Sequence, residues 1–119
     1  MTHKLPNYLR TYRKGVELTQ AEVAYLLGCC NPAKVSRYER FVRQPKLDVV
    51  FAYEAVFRVP ARELFAGVFQ RVERKVSRRV QLLVRRLERT VPHPRIGRKA
   101  EFLKTVSLGL RKKPWIAHG

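Results

Sequence analysis

Residues 18–39, Leu18-Thr19-Gln20-Ala21-Glu22-Val23-Ala24-Tyr25-Leu26-Leu27-Gly28-Cys29-Cys30-Asn31-Pro32-Ala33-Lys34-Val35-Ser36-Arg37-Tyr38-Glu39, decide the fold. Thr19 and Glu22 stand at capping-box spacing. The hydroxyl accepts the amide three residues on, and the carboxylate reaches back to the cap amide. Leu18 can staple onto Val23, and Val23, Ala24, Leu26 and Leu27 make an apolar face. Gly28 supplies a stop. Asn31 is a strong cap, and Pro32 suits a first helical position, where its missing N–H costs nothing. A further helix therefore starts at Pro32 and carries Ala33 to Arg40. Two short helices separated by Gly28-Cys29-Cys30 read as a helix-turn-helix.

Outward from this centre, Pro6 and Asn7 precede a helix over Tyr8–Lys14 that Gly15 ends. Pro45 opens a helix from Lys46 to Phe57, with Leu47, Val50, Phe51, Ala55 and Val56 expected inward by their spacing. Pro60 opens a fifth, with Leu64 and Phe65 inward. The spacing thus predicts five helices over residues 5–65, an all-α bundle.

The whole chain has 119 residues, enough for one small domain plus an extension. That is too short for a dinucleotide-fold or barrel enzyme with its own substrate domain. Lys and Arg total 26 against 9 Asp and Glu, a formal charge of +17. The charge is uneven. Residues 1–65 carry 11 basic and 6 acidic side chains, whereas residues 66–119 carry 15 and 3. So large an excess favours a polyanion. Nucleic acid comes first, because each neutralised phosphate releases counterions, and an anionic membrane surface second. No run of about 18 apolar residues could span a bilayer. The start, Met1 to Pro6, lacks the apolar stretch of a secretory signal, so a cytoplasmic, nucleoid-associated protein is expected. Cys29 and Cys30 are adjacent, and His3, His93 and His118 are scattered, so the cysteines are assigned to packing in the turn rather than to metal. No catalytic triad, phosphate-cradling glycine loop or zincin motif stands in the chain; neither an enzyme nor a cofactor or small-molecule ligand is expected.

Leu9-Arg10-x-x-Arg13, then Leu18-Thr19-Gln20-x-Glu22-Val23-Ala24-x-x-Leu27-Gly28, then Val35-Ser36-Arg37-Tyr38-Glu39, Arg43-x-Pro45 and Glu63-Leu64-Phe65 together resemble the Cro/phage-repressor (XRE) helix-turn-helix family. The resemblance covers roughly residues 5–65. It implies a compact bundle that binds double-stranded DNA, reads the major groove with its third helix, and often works as a homodimer on a two-fold site. It also implies that Gln20 bonds backbone phosphate and braces the recognition helix, and that Arg10 and Glu39 form an internal ion pair. Three departures stand out. Cys29-Cys30 adds one residue to the usual turn, the family's glycine after Glu39 falls on Phe41, and its glycine before Leu18 falls on Glu17. Phe41 adopts a positive φ less easily than Gly, so a rebuilt loop is expected there.

On the third helix, Pro32, Ala33, Lys34, Ser36 and Arg37 are the candidates for base reading, while Val35 and Tyr38 belong to the core. Lys34 and Arg37 can donate to guanine O6 and N7, and Ala33 can touch a thymine methyl. Ser36 suits either phosphate or a base edge. Gln20, Arg40, Arg43 and Lys46 are assigned to phosphate, since most protein–DNA hydrogen bonds do not go to bases.

From Ala66 to Arg89, Val68, Phe69, Val72, Val76, Val80, Leu83, Val84 and Leu87 recur at steps of three and four. Arg71, Arg74, Lys75, Arg78, Arg79, Arg85 and Arg86 surround them as accessory basic residues. This predicts one long basic amphipathic helix of roughly 35 Å. Its oily stripe can pack on the bundle, pair with a second copy, or lie on an anionic membrane. Residues 66–119 are thus a basic helical extension for oligomerisation or further nucleic-acid contact. Thr90 to Gly97 reads as a linker. A short C-terminal helix is expected over Arg98–Leu110, with Phe102, Leu103, Val106 and Leu110 inward. Trp115 lies beyond it. Two other functions fit the same charge and bundle: an RNA-binding or translation-associated protein, and a protein-interaction adaptor.

Overall fold

The structure, a computed structural model, describes residues 5–28, 31–90 and 92–111, with side chains through residue 107. Among these residues it holds seven helices and no strand: α1 (Leu9–Gly15), α2 (Gln20–Leu27), α3 (Pro32–Glu39), α4 (Leu47–Phe57), α5 (Ala61–Leu64), α6 (Ala66–Glu88) and α7 (Pro94–Arg111). The chain divides into two compact units, Met1–Gln70 and Arg71–Gly119.

In the first unit, local hydrogen bonds place the helix ends. Thr19 Oγ1 accepts from the Glu22 amide at 3.0 Å, and the Glu22 carboxylate accepts from the Thr19 amide at 2.8 Å, so the capping box is complete. Asn31 Oδ1 accepts from the Ala33 amide at 2.9 Å, with Pro32 at the first helical position. Gly28, at φ 78°, closes α2 in the left-handed region. Cys29 and Cys30, with the extra turn residue, lie outside the described residues.

The expectation of a rebuilt loop at Phe41 is overturned. Phe41 takes φ 56° and Glu17 takes φ 60°. At the end of α3, the Phe41 amide donates to the Tyr38 carbonyl and the Val42 amide to the Arg37 carbonyl. At the end of α1, the Glu17 amide donates to Lys14 and the Leu18 amide to Arg13. Both are Schellman motifs, normally completed by glycine. The paired hydrogen bonds hold the left-handed turn even where a side chain opposes it. Gly15 does not take that place; it is the last residue of α1.

The core gathers Leu9, Val23, Ala24, Val35, Tyr38, Tyr53 and Leu64. Tyr53 is its aromatic centre, stacked with Phe57 at 6.1 Å between ring centroids and edge-on to Tyr38 and Phe65 at 6.3 Å each. This corrects the face expected for α4. Leu47 (68% exposed), Phe51 (56% exposed) and Ala55 point outward, and Val49, Tyr53 and Phe57 supply the inward face. The helix is apolar on most sides, so its period selects no single face. Leu26 of α2, also expected inward, is exposed.

The second unit contains most of α6 and all of α7. Val80 is buried there, while Val72, Val76 and Leu83 of the same stripe are exposed. The C-terminal helix is not short: α7 has 18 residues and begins inside the stretch expected to be a linker. Pro94 opens it because proline suits a first turn, and His93 Nδ1 accepts from the Arg95 amide at 3.1 Å. Leu103 and Val106 are half-buried, but Phe102 faces solvent. The Leu110 side chain and Trp115 lie outside the described residues.

Two stability measurements check this packing by urea unfolding. Tyr53→Ala is expected to cost about 3–5 kcal/mol and Phe51→Ala less than about 1 kcal/mol, which separates the observed α4 face from the alternative one. Glu17→Gly should raise stability by about 0.5–1 kcal/mol, since relief of left-handed strain exceeds the entropy that glycine adds to the unfolded chain.

Candidate nucleic-acid interface

Residue Glu39, the last of α3, is held from two other helices. Arg13 grips its carboxylate in a fork, Nε to Oε2 at 2.5 Å and Nη2 to Oε1 at 3.2 Å. Gln20 Nε2 donates to Oε1 at 3.1 Å. Arg13 also donates through Nη1 to the Leu18 carbonyl at 3.0 Å, tying down the approach to α2. The Glu39 side chain is only 3% exposed and that of Arg13 12%. The expected Arg10–Glu39 pair is therefore corrected: Arg13, one turn later on α1, is the partner. Its position beside the α1–α2 turn lets one guanidinium serve both the carboxylate and the Leu18 carbonyl, while Arg10 is exposed.

With α3 fixed in this way, Val35 and Tyr38 are buried and the opposite side is presented outward. Pro32, Ala33 and Arg37 are exposed, and Lys34 and Ser36 are half-buried. Ser36 Oγ accepts from Arg40 Nε at 3.2 Å, so these two side chains form one polar step along the helix. Arg40 and Arg43 are exposed after the end of α3, and Lys46 is exposed as the cap residue of α4. Arg71, Arg74, Lys75, Arg78, Arg79, Arg85 and Arg86 are all exposed on α6, in the other unit.

An open cleft of about 600 Å³ runs beside this surface, lined by residues that include Arg10, Lys14, Gln20, Ser36 and Arg40. Lys14 has no role in the sequence reading, and Arg10 appears there only as an ion-pair partner of Glu39. Their spacing of four places both on one face of α1, a signal that was present, but nothing local showed that this face borders the cleft. Among the described residues Arg10, Lys14 and Arg40 have no carboxylate partner, and they line the cleft together with the Gln20 amide, the Ser36 hydroxyl and one exposed acid, Glu17. That donor set suits a phosphate diester. Among the described residues, no group of three or more His, Cys, Asp or Glu could hold a metal ion, and no helix is long and apolar enough to cross a membrane.

A capped helix pair, the second presenting a polar and cationic face, with basic residues around its ends, is the architecture of a DNA-binding helix-turn-helix domain. Residues 9–64 match the helix-turn-helix family model, of the Cro/C1 (XRE) type. Comparison with curated proteins and with solved structures found no match.

The Glu39 hub gives a stability test. Glu39→Ala removes the acceptor for Arg13 and Gln20 and should cost about 3 kcal/mol by denaturant unfolding. Arg10→Ala should cost less than about 0.5 kcal/mol.

Proposed function

We propose that this protein is a non-enzymatic transcriptional regulator that recognises a specific duplex-DNA sequence. Residues 5–65 act as the DNA-binding domain, inserting residues 32–40 into the major groove. Residues 66–119 add phosphate contact. The observation that carries this reading is the outward face of α3: Pro32, Ala33 and Arg37 are exposed while Glu39 is clamped behind them. Arg37 and Lys34 donate to guanine edges, with Ala33 and Pro32 against thymine methyls and Ser36 at either a base or a phosphate. Gln20, Arg40, Arg43 and Lys46 hold the backbone, joined by Arg10 and Lys14 along the cleft. The basic residues of α6 lengthen the phosphate footprint.

A two-copy assembly on a two-fold site belongs to this reading, as does a cytoplasmic location on the nucleoid. Both follow from the family's way of working rather than from any contact in a single chain.

The test is selection of bound duplexes from a random pool, followed by affinity measurements over a range of salt. A consensus with two half-sites one helical turn or a multiple apart is expected. Lys34→Ala with Arg37→Ala should flatten preference among sequences, each lost bidentate contact removing about 1–3 kcal/mol of discrimination. Arg-to-Ala changes between residues 71 and 89 should instead lower the salt slope by about 0.9 per contact and leave preference nearly unchanged. Similar behaviour of the two sets, or preference for structured RNA over duplex DNA in competition, would overturn the assignment.

A further inference from the structure

The cations of α6 fall into two groups when placed around the helix at about 100° per residue. Val72, Val76 and Leu83 occupy an arc of about 40°, and Arg79, Arg86 and Lys75 follow within about 80° of its centre. Arg71, Arg78, Arg85 and Arg74 lie about 120–180° away, on a purely polar side. The aliphatic residues beside the first group are open. Val72, Val76, Leu82 and Leu83 are 39–53% exposed, whereas Val80, further round the stripe, is already covered at 8%. One side of α6 therefore shows solvent an alternation of valine, leucine and long cations, from Val72 to Arg86, over roughly 21 Å. Val72 and Leu83 are eleven residues apart, a spacing that keeps this side in line along a straight helix instead of winding it round a left-handed coil.

We propose that this mixed side is a docking surface for an anionic lipid bilayer, on which α6 lies in the plane of the headgroups. The occupant must accept apolar side chains and satisfy cations beside them. A bilayer with acidic headgroups does both: the valines and leucines enter the acyl boundary, and Lys75, Arg79 and Arg86 lay their stems along it and reach phosphate. Duplex DNA offers phosphate but no apolar layer for Val72, Val76 and Leu83. A second copy paired in parallel register through this side would bring Arg79 and Arg86 near the same cations of its mate. Arg71, Arg74, Arg78 and Arg85 remain pointed away from the lipid and free for nucleic acid. The lipid surface thus takes three residues out of the accessory phosphate set and rests on the DNA-binding reading only for the other four.

The full chain is to be sedimented with vesicles of phosphatidylcholine alone or mixed with phosphatidylglycerol, at about 0.15 M salt. Binding to the mixed vesicles and not to the neutral ones is expected. Val76→Glu with Leu83→Glu should weaken it at least about tenfold, with helicity by circular dichroism unchanged because both sites are exposed. Lys75→Gln, Arg79→Gln and Arg86→Gln together should weaken it more than Arg71→Gln, Arg74→Gln and Arg78→Gln together. Preference of the double-glutamate variant for the selected duplex over unrelated duplexes, measured in parallel, should be kept, so a failure at lipid and a failure at DNA are read separately. Three results would overturn the proposal. The chain fails to bind acidic vesicles; binding survives the two glutamates; or the native chain sediments as a pair that the glutamates dissociate, which would make this side an interface between copies.

Discussion

The orientation of α3 depends on one buried carboxylate. Glu39 lies where α1, α2 and α3 meet, and its two oxygens are shared by Arg13 and Gln20. An ionised group this far from water is tolerable only when its acceptor sites are filled by well-placed donors. The Gln20 contact ties the start of α2 to the end of α3, and the Arg13 fork ties α1 to the same point. The core then sets the rotation of α3 by burying Val35 and Tyr38 against Tyr53 and its aromatic neighbours. The outward set of side chains follows from these two constraints together.

Much of this was legible because it is written in short-range chemistry. A capping box and an Asn-Pro start depend on neighbours a few residues apart, and both form as the residues require. The misreadings all involve choices that local pattern leaves open. Helix α4 is apolar on nearly every side, so spacing alone admits either face, and only the aromatic cluster around Tyr53 selects one. Arg10 and Arg13 both follow Leu9 on one short helix; which of them meets Glu39 is a matter of three-dimensional registry. Phe41 and Glu17 show the reverse case. Intrinsic preference argues against a left-handed residue at both positions, and a pair of backbone hydrogen bonds at each outweighs it. On α7, the sequence Pro94 to Gly97 reads as a breaker, yet proline tolerates a first turn and the helix simply begins there.

The two units divide the charge differently. In the first, cations collect around a shaped cleft and a capped helix end, so position matters as much as charge. In the second, they are distributed along a helix, and what distinguishes one arginine from another is its angle from the apolar stripe. A purely compositional view sees one basic protein. The geometry separates cations that can select a ligand's shape from cations that answer only to its field.

The turn after α3 has an effect on Arg37 that its side chain does not reveal. The amides of Val42 and Arg43 both donate to the Arg37 carbonyl, at 2.9 and 3.3 Å. The peptide plane of this residue is thereby anchored from the far side of the loop. What freedom the guanidinium keeps is rotameric, so it is confined to a cone swept about a stationary pivot.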